Sequence, residues 1–137
     1  MSLRLKDDQM ERLRRTARRL GRKPSETAAL LLEEALRQSE FALIEFRDSP
    51  AGRQAYLRGT RLTVWQVTKL VRAFSGDADQ TAAHLEVPAT LVRAARAYAA
   101  AYPEEIEAAI EDADRSLEEL QRLIPNLTVV EVHATPA

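Results

Sequence analysis

The sequence contains no cysteine, and only two histidines and four glycines occur among its 137 residues. Without cysteine, the chain can form neither a disulfide nor a thiolate metal site. No apolar run approaches the roughly 20 residues that a bilayer-spanning helix needs, and no signal-peptide pattern opens the chain. We therefore expect a cytoplasmic protein with no membrane partner.

The same scarcities argue against catalysis. His84 and His133 each stand alone, as structural or exposed histidines usually do. No glycine-rich phosphate loop and no nucleophile elbow is present. The carboxylates between Glu104 and Asp114 point in many directions around a predicted helix, so a solvated face explains them better than a metal or acid–base site. We expect a protein that is not an enzyme and uses no cofactor.

The composition is that of an ordinary globular protein, with 45% hydrophobic and 30% charged residues, but its charge is unevenly distributed. Residues 1–23 carry nine Lys/Arg and three Asp/Glu, a balance of +6. Residues 101–137 carry two Arg and nine Asp/Glu, a balance of −7. The first segment suits an anionic partner such as nucleic acid, and the last would be repelled by it.

The N-terminal segment predicts a short strand centred on Leu3-Arg4-Leu5. Side chains alternate along a strand, so Leu3 and Leu5 share one face while Ser2, Arg4 and Lys6 share the other. A lone strand has no hydrogen-bonding partner, and two copies of the chain could supply one about a twofold axis. The resulting basic ribbon would fit the major groove of DNA.

Two helices are predicted next, the first ending at Gly21 and the second opening at Pro24-Ser25-Glu26 with Ser25 as its N-cap. The arginines on the outer face of the first helix could contact phosphate or simply be solvated. The second helix has a broad apolar face that favours an intertwined dimer. Its free N–H groups, beside Arg22 and Lys23, form a natural phosphate clamp.

This N-terminal order of S-L-R-L, a helix, G-R-K-P-S-E and an Ala/Leu-rich helix resembles the ribbon-helix-helix fold of Arc- and MetJ-type DNA-binding proteins. The resemblance implies an obligate homodimer that reads bases with Ser2, Arg4 and Lys6. It also implies that phosphates are held around Ser25, with Lys23 beside it. Because the strand begins almost at Met1, we expect a short ribbon with few base contacts.

Downstream, Phe41–Asp48, a Ser49-Pro50-Ala51-Gly52 turn and Arg53–Leu57 predict a β-hairpin, or else a helix end with one hairpin arm. Thr63 can cap a helix whose apolar stripe runs from Val64 to Phe74. Helices are then predicted over residues 79–85 and 89–102, joined by a tight turn as in a helix-turn-helix. A last helix runs from Pro103 to about Leu123.

Three features of this second region have more than one interpretation. If the helix-turn-helix read DNA, Arg93 and Arg96 would face the groove, but its alanine-rich second helix suits close packing or dimerisation better. Arg61 could pair with an acidic helix residue, touch DNA or contact a partner. The acidic last helix and the β-prone run 127–132 favour binding to a partner protein, although that run could instead extend the chain's own sheet.

The hairpin, the segment Gly59–Trp65 (GTRLTVW), the helix-turn-helix-like unit and Tyr102–Glu105 (YPEE) resemble the antitoxin family labelled domain of unknown function 433. The two resemblances together are similar to VapB-type antitoxins, which implies a toxin partner with a PIN-like nuclease fold. They also imply a DNA-binding and dimerisation domain at 1–40, an antitoxin domain at 41–132 and a tail at 133–137.

The sequence therefore predicts a mainly α protein with short β elements: a ribbon-helix-helix, then a hairpin and a multi-helix domain. We interpret it as a dimeric type II antitoxin that neutralises a PIN-like ribonuclease and represses its own operon at a palindromic operator. A higher oligomer could form with the toxin. The alternative is a stand-alone dimeric transcriptional regulator whose second domain dimerises or senses a small molecule.

Overall fold

A computed structural model describes residues 2–126 of the chain. Within that range the fold is mainly helical with one short antiparallel hairpin, which confirms the predicted fold class. The chain divides into two compact units, Met1–Glu40 and Phe41–Ala137. The predicted strand at 127–132, the tail at 133–137 and His133 lie outside the described residues. Across residues 2–126, no helix is long and apolar enough to cross a membrane.

The first unit contains helices α1, Asp7–Leu20, and α2, Pro24–Glu40. Asp7 and Asp8 lie in the first turn of α1, where their negative charge interacts favourably with the helix dipole. Gly21 ends α1 in the left-handed conformation, with φ +66°. The N–H of Arg22 then donates to the carbonyl of Ala17 at 3.0 Å, which closes the helix end.

One detail of this unit differs from the sequence predictions, and another is not tested by a single chain. Ser25 is not the N-cap of α2, because the helix already begins at Pro24, whose fixed φ and missing N–H suit the first helical position. Residues 2–6 belong to no helix or strand of this single chain. A strand centred on Leu3-Arg4-Leu5 needs hydrogen bonds from a second chain, so it stays a prediction.

The second unit opens with a β-hairpin formed by β1, Ile44–Ser49, and β2, Gly52–Leu57. The strands pair in antiparallel register from Ile44 opposite Leu57 to Ser49 opposite Gly52. The Ser49 hydroxyl accepts a hydrogen bond from the N–H of Ala51 and donates one to the carbonyl of Gly52, which stabilises the turn. The hairpin prediction is confirmed, and the alternative of a helix end with one arm is wrong.

Four helices follow: α3, Val64–Ala73; α4, Ala78–Leu85; α5, Ala89–Ala101; and α6, Pro103–Leu123. Thr63 caps α3 as predicted, since its hydroxyl accepts the N–H of Gln66 at 3.2 Å and the Gln66 side chain accepts the N–H of Thr63 at 3.0 Å. The turn between α4 and α5 contains Glu86 rather than glycine. Glu86 adopts the left-handed conformation there, with φ 57°.

The hydrophobic core of the second unit lies between the hairpin and its helices. Its buried residues include Ile44 and Leu57 from the hairpin, Val64, Val67 and Val71 from α3, Val92, Ala95 and Tyr98 from α5, and Ile106 and Ile110 from α6. Two ion pairs fasten α6 to α3: Lys69 Nζ lies 2.8 Å from Asp114 Oδ1, and the Arg72 guanidinium binds the Glu107 carboxylate. The first half of α6 is therefore held on the core.

Candidate nucleic-acid interface

The basic residues of α1 form a solvent-facing surface because the opposite stripe of the helix is turned inward. Ala17 is buried, and Met10, Leu13 and Leu20 are half-buried. Arg12 and Arg18 make exposed ion pairs with Asp8 at 3.5 Å and Glu11 at 4.0 Å, both on the same helix. Pairs this exposed contribute little to stability, so these guanidiniums can exchange a carboxylate for a phosphate at small cost.

Other cations of the first unit carry no recorded ion pair within residues 2–126. They are all exposed to solvent: Arg4, Lys6, Arg14, Arg15, Arg22 and Lys23. The backbone N–H of Lys6 donates to Gln9 Oε1 at 3.0 Å. This bond fixes the entry into α1 while leaving the Lys6 ammonium group exposed.

The predicted ribbon residues are also exposed. Ser2, Arg4 and Lys6 all lie at the surface, and the two leucines between them are 76% and 39% exposed at Leu3 and Leu5. A segment that alternates exposed leucines with exposed polar residues has one face suited to packing and one suited to a polar partner. In the single chain, Ser2, Arg4 and Lys6 lie in an exposed segment that is not paired with another strand.

The start of α2 is anchored by a residue that sequence reasoning missed. Thr27 is fully buried, and both its N–H and its hydroxyl donate to the carbonyl of Lys23, at 2.9 and 3.0 Å. Lys23 and Ser25 remain exposed on either side of Pro24. The first-turn N–H groups of a helix have no carbonyl partner within the helix, and they favour an anion. A threonine three residues after Pro24, at the fourth helical position, was the available signal.

The second predicted contact surface, on the helix-turn-helix-like pair α4–α5, has its arginines engaged within the chain. Arg93 Nη2 lies 3.3 Å from Asp79 Oδ1, and Arg96 Nη1 donates to the carbonyl of Gly76 at 3.2 Å. The inner face of α5 buries Val92, Ala95 and Tyr98. The buried inner face supports the packing interpretation of α5, whereas the Arg93–Asp79 pair is as exposed as the ion pairs of α1.

A polar cluster on the outer face of the hairpin holds the GTR segment in place. The Arg47 guanidinium stacks over the Tyr56 ring, with 4.1 Å between Cζ and the ring centroid, and it donates to the carbonyl of Thr60. The N–H of Gly59 donates to Glu45 Oε1 at 3.3 Å. Arg61 itself is exposed and has no recorded partner in the described part of the chain. Its side chain is thus displayed on an ordered loop.

Among residues 2–126, no group of three or more His, Asp or Glu side chains could hold a metal ion. His84 packs against the Phe74 ring, with 5.4 Å between ring centroids. Trp65 packs against the core and is half-buried, with its Nε1 buried and without a hydrogen-bond partner.

Comparison with known proteins adds no relative. No family model matches the chain, and neither the curated proteins nor the solved structures contain a match to it.

Proposed function

We propose that the chain is a dimeric DNA-binding antitoxin of the cytoplasm that represses its own operon and neutralises a PIN-like ribonuclease. The observation that carries the DNA-binding part is the distribution of charge and apolar surface in the first unit. Unpaired cations and exposed leucines occur together there, so the same forty residues need both an anionic partner and a hydrophobic one.

A second copy of the chain is the simplest hydrophobic partner. Besides Leu3 and Leu5, α2 leaves Leu32 and Leu36 about half exposed, at 51% and 53%. A forty-residue unit is near the lower limit for independent folding, and oligomerisation is the usual remedy in the absence of disulfides or metal. A twofold arrangement would pair the two N-terminal segments into one ribbon and bury these leucines.

DNA is the anionic partner that such a ribbon suits. Two copies would present Ser2, Arg4 and Lys6 twice on one face, while Lys23 and Ser25 would approach phosphates at the two α2 starts. Base contacts would specify the sequence and phosphate contacts would position the protein. The twofold axis makes a palindromic operator the expected site.

The toxin-neutralising part rests on the resemblance of the second unit to antitoxins and on its acidic last helix. Residues 103–123 carry eight Asp/Glu and two Arg, a balance of −6. A nuclease has a cationic surface for its nucleic-acid substrate, and an acidic helix is electrostatically complementary to it. The alternative remains a stand-alone dimeric regulator. In that case the second unit would only dimerise or sense a small molecule.

Co-expression with the product of a neighbouring reading frame that encodes a small PIN-like protein tests the proposal. We expect the two proteins to co-purify and the chain to restore growth. Failure of both would remove the toxin-neutralising function and leave the regulator.

For DNA binding, Arg4→Ala should abolish operator preference without dissociating the dimer. Arg122→Ala, in the second unit, should leave operator preference intact. Unchanged operator binding by Arg4→Ala would contradict the ribbon assignment.

A further inference from the structure

The two edges of the hairpin in the second unit differ in what lies beside them. The edge of β2 is partly covered, because the N–H of Leu57 donates to the carbonyl of Leu62 at 2.9 Å. Strand β1, in contrast, pairs with no strand other than β2 among residues 2–126. An uncovered strand edge presents a row of backbone N–H and C=O groups, to which another strand can add.

The closing pair of the hairpin determines which backbone groups face the edge of β1. Ser49 and Gly52 flank a two-residue turn and form a hydrogen-bonded pair, and such pairs alternate with non-hydrogen-bonded pairs along the strands. Phe46 therefore lies in a non-hydrogen-bonded pair, with its N–H and its carbonyl directed away from β2. Within the described range the Phe46 N–H has no recorded acceptor, and the carbonyl accepts only a long bond from Arg53 Nη2, at 3.5 Å. A strand added at this edge would give both groups a better partner.

The outer face of β1 carries one acidic and one basic side chain, on either side of Phe46. Glu45 and Arg47 lie 3.4 Å apart, and their side chains are 28% and 40% exposed. The recorded polar contacts of Arg47, to Glu45 and to the carbonyl of Thr60, all use Nη2. Its Nε is buried without a hydrogen-bond partner, and no bond of its Nη1 is recorded within residues 2–126. The guanidinium therefore has donors left for a second carboxylate.

A second copy of β1 matches this charge pattern in one register. When two β1 strands run antiparallel with Phe46 opposite the partner's Phe46, Glu45 lies opposite the partner's Arg47 and Arg47 lies opposite the partner's Glu45. A shift of two residues, which keeps the same backbone groups facing each other, places either two glutamates or two arginines opposite each other. Opposite charges across a strand pair stabilise it and like charges destabilise it, so the charges select the first register.

This complementarity favours a second copy over the chain's own β-prone run at 127–132. That run carries one acidic residue, Glu131, and no basic residue, so it offers Glu45 no opposite charge. We infer that two copies of the second unit join through their β1 edges into a four-stranded antiparallel sheet centred on Phe46. This contact is an addition to the dimer that we propose for the first unit, and it depends on neither the DNA-binding nor the nuclease-binding function.

Cysteine crosslinking of the full chain tests this register, because the sequence contains no cysteine of its own. In a non-hydrogen-bonded strand pair the Cα atoms lie about 4.5 Å apart, which a disulfide can span. A mixture of Glu45→Cys and Arg47→Cys chains should therefore form a disulfide-linked dimer on mild oxidation, seen on a denaturing gel. A mixture of Glu45→Cys and Gln54→Cys chains is the matched control and should form none, because Gln54 lies opposite Arg47 on β2, one strand farther from the axis.

Each cysteine variant alone should also stay uncrosslinked, because the two equivalent positions lie diagonally across the axis, roughly 7–8 Å apart. Crosslinking of Glu45→Cys alone as readily as of the mixture would contradict the register. If the mixture of Glu45→Cys and Arg47→Cys gives no more crosslinked dimer than the control mixture, the inference is wrong, while the first-unit dimer is unaffected.

Amide hydrogen exchange gives a second readout that leaves Arg47 intact. The Phe46 N–H should exchange slowly in the wild type and lose this protection in Glu45→Arg, which places arginines opposite arginines. Glu45→Gln is the control: it keeps an acceptor for the N–H of Gly59 without creating repulsion, and it should retain most of the protection. Fast exchange of Phe46 in the wild type would overturn the inference. Slow exchange that Glu45→Arg does not change would mean that another strand, such as 127–132, occupies the edge, which also overturns it.

Discussion

The fully buried Tyr98 of α5 donates a 2.6 Å hydrogen bond from its hydroxyl to Oε2 of Glu105 on α6. The Tyr98 ring also contacts Phe41, Phe46 and Tyr102 edge-on or tilted, with centroids 4.9–6.2 Å apart. The bond joins two helices across the sharp turn at Pro103, and its donor cannot reach water. It therefore fixes the direction in which α6 leaves the core.

Tyr98→Phe should lower the free energy of unfolding by about 1.5 kcal/mol, because it removes one hydrogen bond to a carboxylate and preserves the ring packing. Urea denaturation followed by circular dichroism measures the change. Tyr98→Leu should cost more, since it also loses the aromatic contacts. Equal stability of wild type and Tyr98→Phe would show that the hydroxyl bond makes no net contribution.

The Arg72–Glu107 pair between α3 and α6 predicts an acid-sensitive contribution to stability. The hydrogen bond from Arg72 lowers the pKa of Glu107 below its usual value of 4.5. A carboxyl whose pKa is lower in the folded state stabilises the fold above its unfolded pKa and loses that effect as the pH falls through the folded value. Glu107→Gln should therefore be less stable than the wild type at pH 7, by a small amount because the pair is exposed, and equal to it in strong acid.

Thermal unfolding from pH 7 to pH 2 measures this difference. Glu111→Gln is the control, because Glu111 is exposed on the same helix and has no recorded ion pair within the described range. A difference between wild type and Glu107→Gln that persists unchanged at pH 2 would contradict the ionic origin of the contribution.

Glu86→Gly should stabilise the second unit. Glu86 ends α4 with φ 57°, a conformation that costs a residue with a Cβ roughly 1 kcal/mol. Glycine would remove this strain, and its greater freedom in the unfolded chain would offset part of the gain in stability. We expect a net gain of up to about 1 kcal/mol, seen as a higher Tm. Glu86→Ala removes the same charge but keeps the Cβ, so it should not share the gain; equal Tm values for the two variants would contradict the backbone explanation.

Arg93→Ala and Arg96→Ala should leave operator affinity nearly unchanged. Both side chains belong to the second unit, whereas all the contacts that we propose for the operator lie in the first unit. Arg14→Ala or Arg15→Ala, on the open face of α1, should instead weaken binding to all DNA sequences alike and reduce the salt dependence if these side chains contact phosphate. A loss of sequence preference in Arg93→Ala would place a second reading surface on α5.

Local patterns were sufficient to predict much of the second unit. The threonine before an apolar run predicted the Thr63 cap, and helical spacing predicted that the stripe that begins with Val64 and Val67 faces inward. The Ser-Pro-Ala-Gly turn predicted the hairpin. These features depend on residues close together in the sequence, where stereochemistry leaves few alternatives.

Features that join distant segments could not be predicted in this way. The stacking of Arg47 on Tyr56, its bond to Thr60 and the Tyr98–Glu105 bond depend on which elements pack together. The exposure of Leu120 could not be predicted either, because Leu120 continues the helical spacing of the buried Ile106 and Ile110.

The distribution of the core has a consequence for the life of the protein in the cell. Among the described residues, every buried hydrophobic side chain except Ala17 belongs to the second unit. If the first unit folds only as a dimer, its folded fraction depends on protein concentration, whereas that of the second unit does not. At low abundance the N-terminal forty residues would be the first target for proteases. Under the proposed function, cleavage there would leave a fragment that still carries the proposed nuclease-binding unit but no longer the proposed DNA-binding unit, so repression would be lost before protection.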